Sequence, residues 1–290
     1  LKLKHIVFYV IFYVSTLSGQ NGDFEVKLFP SGNHFLPFRG NVKESKLGIL
    51  YYPDNGGLKV DIGNSIDLLE IKYPSNNSRL TFGIEFMAYA YSTNYEEQRL
   101  QIDAVDGFFG GNATFSKRDN DSKWFLRFRF IHNSAHLVDG NWWKSPYPRD
   151  WGKPGGPIPF TRDFAEVYLT NEVTYLNINW RYYSGIEYAI HLRPKDQKKL
   201  ILNTGIEIHN INLLGELWGA KTNIYGSYHF TLNGLNKYSG NNNIQAGIKF
   251  GDWSGKGVSF YFSYYNGFDH FSQYYNERIS KPGFGFSVDF

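Results

Sequence analysis

His132, Ser134 and His136 stand at alternate positions in the run Trp124-Phe-Leu-Arg-Phe-Arg-Phe-Ile-His-Asn-Ser-Ala-His-Leu-Val-Asp139. On an extended strand alternate side chains share a face, and a His and a Ser two apart sit about 6–7 Å apart along the backbone. Side-chain lean could close that gap. Neutral His132 could then take the Ser134 proton as general base, making Ser134 a nucleophile. Such a base needs an acid to orient it. Asp163 and Glu166, at the start of the next extended segment, are the candidates. Alternation favours Asp163, because Glu166 shares a face with Tyr168 and Glu172. His136, Asp139, Arg162 and Glu166 are left as orienting or binding residues. Two other readings of these residues stay open. One is a polar rim where a strand leaves an apolar layer. The other is a divalent-ion site on His132, His136 and Asp139, for a cation such as calcium. Imidazole and carboxylate at such spacing form a weak ligand pattern, so neither metal nor cofactor is expected.

The elements that must position these residues alternate with period two. Between Leu80 and Ala90, Leu80, Phe82, Ile84, Phe86, Ala88 and Ala90 oppose Arg79, Thr81, Gly83, Glu85, Met87 and Tyr89. The same pattern returns at 176–190, 200–209, 244–250 and 258–264, which is the signature of strands with two different surroundings. Twelve segments read this way: 46–52, 58–72, 79–92, 100–116, 123–137, 163–174, 176–191, 199–210, 219–231, 242–251, 256–267 and 283–290. Ten and fourteen are the neighbouring counts. Segments 58–72 and 100–116 switch face midway and each require a bulge. Asp119-Asn-Asp121 reads as a turn rather than a calcium loop. Gly152-Lys-Pro-Gly-Gly156 lacks the Lys-Ser/Thr ending of a phosphate loop. The Trp- and Pro-rich stretch 140–160 reads as a rigid aromatic cap.

Composition narrows the class. The chain has no cysteine, which excludes disulfide scaffolds, thiolate metal sites and cysteine nucleophiles. A net charge of +3 in 290 residues is too balanced for a nucleic-acid binder. Lys2 and Lys4, the apolar run Ile6–Val14 and the small residues Ser15–Gly19 have the three parts of an export signal, assigned to 1–19. No later apolar run approaches the roughly eighteen residues of a membrane-spanning helix.

Alternation alone does not separate a soluble sandwich from a membrane barrel. Three features favour the barrel. Opposed charges lie at mid-strand positions on the polar faces (Glu85, Arg127, Arg129, Arg181, Glu187 and Glu207), as pairing across a narrow lumen requires. Aromatic residues load the strand ends, as interfacial girdles do. The chain also finishes in an alternating strand ending on Phe290. The expected fold is therefore an all-β, up-and-down antiparallel transmembrane barrel over 46–290, preceded by a periplasmic segment 20–45. With both termini inside, the long connections 138–162 and 268–282 fall at the outer end.

His132-Asn-Ser134 near the outer end of a barrel strand resembles the pair in outer-membrane phospholipase A and in the barrel lipid A deacylases. That resemblance implies an acyl hydrolase acting on envelope lipids, with Asp163 matching the third member supplied by a following strand. The glycine and asparagine context after the serine in those enzymes is replaced here by Ala135-His136-Leu137. A longer resemblance covers most of 120–290. The run Arg129–Asp139, the pair Arg162-Asp163, Gln273-Tyr-Tyr275 and Gly283-Phe-Gly-Phe286 are similar to an outer-membrane barrel family called domain of unknown function 1207. It implies a barrel in the bacterial outer membrane and no set activity. The expected partners are outer-membrane lipids and the barrel assembly machinery, with no nucleic acid and no oligomeric state implied. The alternative function is a non-catalytic barrel, either a narrow pore or a structural and interaction protein.

Overall fold

A computed structural model describes residues 24–95, 99–137 and 159–290. The expected export signal 1–19, Asp139 and all of 140–160 except its last two residues lie outside the described residues. The wall consists of twelve antiparallel strands: β2 (Leu47–Tyr52), β3 (Gly57–Tyr73), β4 (Ser78–Tyr95), β5 (Arg99–Asp119), β6 (Ser122–Leu137), β7 (Phe160–Tyr175), β8 (Ile178–Arg193), β9 (Leu200–Asn210), β11 (Ala220–Gly234), β12 (Tyr238–Gly251), β13 (Gly257–Phe268) and β14 (Arg278–Asp289). Two short strands, β1 (Glu25–Leu28) and β10 (Glu216–Leu217), pair with β3 and β11. Each wall strand pairs with the next, and β14 pairs with β2 from Phe284↔Tyr51 to Val288↔Leu47, so the sheet closes. Closure leaves no free edge running the length of the wall, the condition for crossing a bilayer with strands.

All twelve expected segments are wall strands, and several extend three to five residues further at one end. Both expected bulges are present, at Leu68 in β3 and at Asp103 in β5. The alternation is inside out compared with a soluble protein. On β8, Tyr182, Ile186, Tyr188 and Ile190 are exposed on the outer surface, while Arg181, Tyr183, Glu187 and Ala189 are buried toward the interior. Leaving such an apolar side chain in water forgoes about 1.5–3 kcal/mol of burial free energy, and a hydrocarbon surrounding restores it.

The first wall position is split. β1 pairs with Leu69–Lys72 and β2 pairs with Gly57–Asp61, both on the same side of β3. After Phe29, whose φ of 47° turns the chain aside and whose amide still reaches Leu68, residues 33–46 run through the barrel interior. Phe38 stacks on Tyr183 at 3.7 Å between ring centroids, and Phe35 meets Phe125 edge-on at 5.4 Å. Glu44 sits between Arg127 (2.9 Å from Nη1) and Arg129 (3.2 Å from Nη1). Lys43 pairs with Glu187 at 3.0 Å and Arg39 with Asp289 at 2.8 Å. Backbone carbonyls of this segment accept from Arg181 (Leu36, 2.8 Å) and Asn243 (Gly40, 2.7 Å).

This differs from the sequence expectation, which set 20–45 outside the barrel. The physical reason lies in the lumen charges. Glu85, Arg127, Arg129, Arg181, Glu187 and Glu207 are all buried inside the wall. Arg127 and Arg129 reach Glu166 at 3.3 Å, but two guanidiniums need more than one carboxylate. Glu85 reaches Arg129 alone, at 3.5 Å, and Glu44 adds a further carboxylate that both guanidiniums share. Burial alone would raise its carboxyl, yet Arg127 and Arg129 outweigh that effect and hold it at about 2.

The short turns 74–77, 120–121 and 176–177 gather at one end of the barrel. The end of β6 at Leu137, the start of β7 at Phe160 and the connection 269–277 lie at the other. At this loop end residues 269–277 fold back over the mouth. Phe271 and Tyr274 join Tyr52, Met87, Tyr89, Tyr91 and Phe108 in one apolar cluster. Ser272 is tied to Asp106, and its hydroxyl also reaches Asn133 at 3.3 Å. The barrel is thus filled at mid-height and covered at the loop end by its own chain.

Candidate active site on the outer wall

β6 carries His132 and Ser134 toward the loop end, on the face that nearer the turn end presents Trp124, Leu126, Phe128 and Phe130 to the exterior. Strand register then decides what lies beside them. His132 is directly opposite Asp163 on β7 and Phe109 on β5, while Ser134 is opposite Thr161 and Gly107. His132 Nδ1 and Asp163 Oδ1 are 2.5 Å apart, with side chains 33% and 31% exposed. The His132 ring packs on Phe109, centroids 4.8 Å apart.

The Asp163 carboxylate accepts from Nδ1–H, which selects the tautomer whose Nε2 is a free acceptor. That nitrogen is the one a general base needs. Among the described residues no hydrogen bond joins His132 to Ser134. The hydroxyl borders open space: a Cβ placed on Gly107 would meet nothing nearer than Ser134 Oγ at 3.9 Å. Gly107 therefore leaves a notch in the outer surface beside the hydroxyl, flanked by exposed Phe109.

The other expected residues divide by face. His136 is exposed on the same face as Ser134, opposite Val105. Arg162 and Glu166 point inward, where Arg162 pairs with Glu187 at 2.7 Å and Glu166 with Arg127 and Arg129. The wall separates both from Ser134. Sequence reasoning did not find Gly107, Phe109, Thr161 or His191. The first three become neighbours only through register. His191, opposite Asp163 on β8, reaches the outer face because of a bulge at Ile190. Among the described residues no group of three His, Cys, Asp or Glu side chains could hold a metal ion.

A closed twelve-strand barrel with an apolar exterior and a charged, filled interior defines an outer-membrane β-barrel, and its structural relatives are proteins of that membrane. The Escherichia coli outer membrane phospholipase A, solved as an active-site mutant, aligns with a TM-score of 0.50 at 13% identity, over 89% of this chain and 93% of that one. The Salmonella typhi outer membrane phospholipase dimer with bound calcium aligns with a TM-score of 0.50 at 12% identity, over 90% and 94%. These likenesses are of fold. The chain belongs to the family described as protein of unknown function (DUF1207), whose model matches residues 59–290. A comparison with curated proteins finds no match.

Proposed function

We propose that this barrel is a serine acyl hydrolase of envelope lipids, with Ser134 as nucleophile, His132 as general base and Asp163 as the group that orients it. One observation carries the reading: the 2.5 Å contact between His132 and Asp163 on the lipid-facing surface, two residues from Ser134 on the same face. A lumen-facing pair would meet only the barrel's own filling segment. Here the groups meet lipid, and the notch at Gly107 gives an acyl carbonyl a place to approach Ser134 Oγ.

In the proposed cycle Ser134 Oγ attacks the ester carbonyl as its proton passes to His132 Nε2. Asp163 stabilises the resulting imidazolium. Collapse of the tetrahedral species breaks the ester bond, and the leaving alkoxide takes the proton from Nε2. Water then repeats the sequence on the acyl-serine and releases the fatty acid. The phospholipase relatives carry an activity that suits a site placed in this way. Calcium, bound in one of them, takes roughly six to eight oxygen ligands. The carboxylate that register places nearest Ser134, Asp163, is engaged by His132, and the described residues hold no group of three carboxylate or imidazole ligands, which does not fit that need. No step is routed through a metal.

The test is acyl release from outer-membrane phospholipid and from lipid A by the refolded barrel, beside Ser134→Ala and His132→Ala. Activity that both substitutions abolish, with heat-modifiable mobility unchanged, supports the proposal. Equal silence of wild type and variants on both lipids refutes it. The second reading, a structural and interaction barrel, is favoured over a pore by the segment 33–46 and its ion pairs inside the lumen.

A further inference from the structure

A separate cluster lies at the turn end, away from the outer-wall site. The ends of β3, β4, β5 and β6 converge there around a cavity of about 250 Å³. Its lining includes Lys72, Arg79, Arg118 and Lys123, together with His34 and Ser116, and no carboxylate. Glu70 lies beside it and pairs with Lys72 at 3.3 Å and Arg79 at 2.9 Å. Among the described residues Arg118 and Lys123 have no carboxylate within ion-pair distance. The register partner of Lys123 is Glu172, whose ion pair is with Arg181 at 3.1 Å. Asp67 is engaged by the His34 amide at 2.7 Å.

We infer that this turn-end cavity is a binding site for a phosphate-type anion, held by Arg79, Arg118, Lys72 and Lys123. Four cations line the cavity and the nearby carboxylates, Glu70, Asp67 and Glu172, stand outside its lining, so a positive field is concentrated in a partly enclosed space, where screening by water is reduced. The guanidiniums of Arg79 and Arg118 offer planar forks that match phosphate oxygens, and the two lysines add point charges. His34 belongs to the arrangement as a neutral spacer. Burial, followed by the charges of Lys123, Arg79 and Lys72, pushes its imidazole down to about 3. Nδ1 faces Arg79 Nη1 at 3.3 Å, so it acts as acceptor, and Nε2–H donates to Ser116 Oγ at 2.8 Å. The ring thus steadies one guanidinium without adding a carboxylate that would compete with the ligand.

Phosphate chemistry at this end could come from a soluble periplasmic phosphate compound or from a phospholipid headgroup of the inner leaflet. Two arms distinguish these sources. In non-ionic detergent, inorganic pyrophosphate is titrated calorimetrically into the refolded barrel and into the double variant Arg118→Gln/Lys123→Gln. In nanodiscs of phosphatidylcholine, with or without phosphatidylglycerol, acylation of Lys123 by an amine reagent is read by mass spectrometry. Pyrophosphate binding that the double variant weakens about tenfold or more, while Lys256→Gln at another turn does not, supports the site. So does protection of Lys123 in the nanodiscs. Protection by added pyrophosphate assigns the soluble source, and protection by phosphatidylglycerol alone assigns the headgroup. Arg118 and Lys123 make no ion pair among the described residues, so the double variant is expected to fold, which heat-modifiable mobility checks. Absence of millimolar pyrophosphate binding together with unprotected Lys123 in both lipids overturns the inference. Binding unaffected by the double variant overturns it as well.

Discussion

Replacing Asp163 with Asn tests the orienting role in the proposed triad. The substitution keeps the size of the side chain but lets it present an N–H to His132 Nδ1. Nδ1 then becomes the acceptor, Nε2 carries the proton, and the base is lost. The carboxylate also no longer faces the imidazolium of the transition state. Two unit charges about 4 Å apart at an effective dielectric near 20 interact by about 4 kcal/mol. Both side chains are roughly one-third exposed, 33% and 31%, and water screening reduces that to about 2 kcal/mol. Loss of the charge-assisted hydrogen bond adds about 1.5–3 kcal/mol. The sum is roughly 4 kcal/mol, about a thousandfold in rate. A pair this exposed contributes no more than about 1 kcal/mol to folding, so the variant should fold normally. The assay is kcat and KM for acyl release from phospholipid micelles, with KM little changed. Activity of Asp163→Asn within tenfold of wild type would refute the argument.

The remaining expectations concern the notch and the lumen. Gly107→Ala should keep both fold and activity, since a Cβ there meets nothing nearer than 3.9 Å. Gly107→Phe should fill the notch and raise KM, read in the same acyl-release assay. Deleting residues 33–46 should turn a barrel silent in planar lipid bilayers into a weakly conducting one, with residues 269–277 still covering the loop end. An equally silent deletion variant would show that other groups close the lumen. Glu44→Gln leaves Arg127 and Arg129 short of a buried carboxylate and should cost about 3–5 kcal/mol in urea unfolding. Acid should act in the same direction. Because the Glu44 carboxyl is held down at about 2 in the folded chain against an ordinary 4.5, its stabilisation is complete above pH 4.5. It is lost as pH falls through 2. Proteolysis of the 24–46 segment should therefore become easier across that window.

The wall was legible because lipid on one side and a polar lumen on the other impose period two on every strand. Even the bulges at Leu68 and Asp103 showed as changes of face. His132, Ser134 and Asp163 were legible for the same reason: two lie on one strand, and the third opens the next with the right parity. The segment 33–46 was not. It has no periodicity, and Phe35, Phe38 and Glu44 acquire meaning only against Tyr183, Phe125 and Arg127, which are distant in the chain. A charge such as Arg129 announces that it needs a partner, and nothing in the sequence says which one. Gly107 and His191 escaped because register and a bulge at Ile190 are set by neighbouring strands.

Activation of Ser134 by His132 on the lipid-facing wall can be read without a substrate. The most direct measurement is reaction of the folded barrel with a fluorophosphonate probe in lipid nanodiscs, followed by peptide mass spectrometry. One adduct is expected, on Ser134, lost in Ser134→Ala and reduced about a thousandfold or more in rate in His132→Ala. Absence of labelling at Ser134, or labelling that is indifferent to His132, would contradict it.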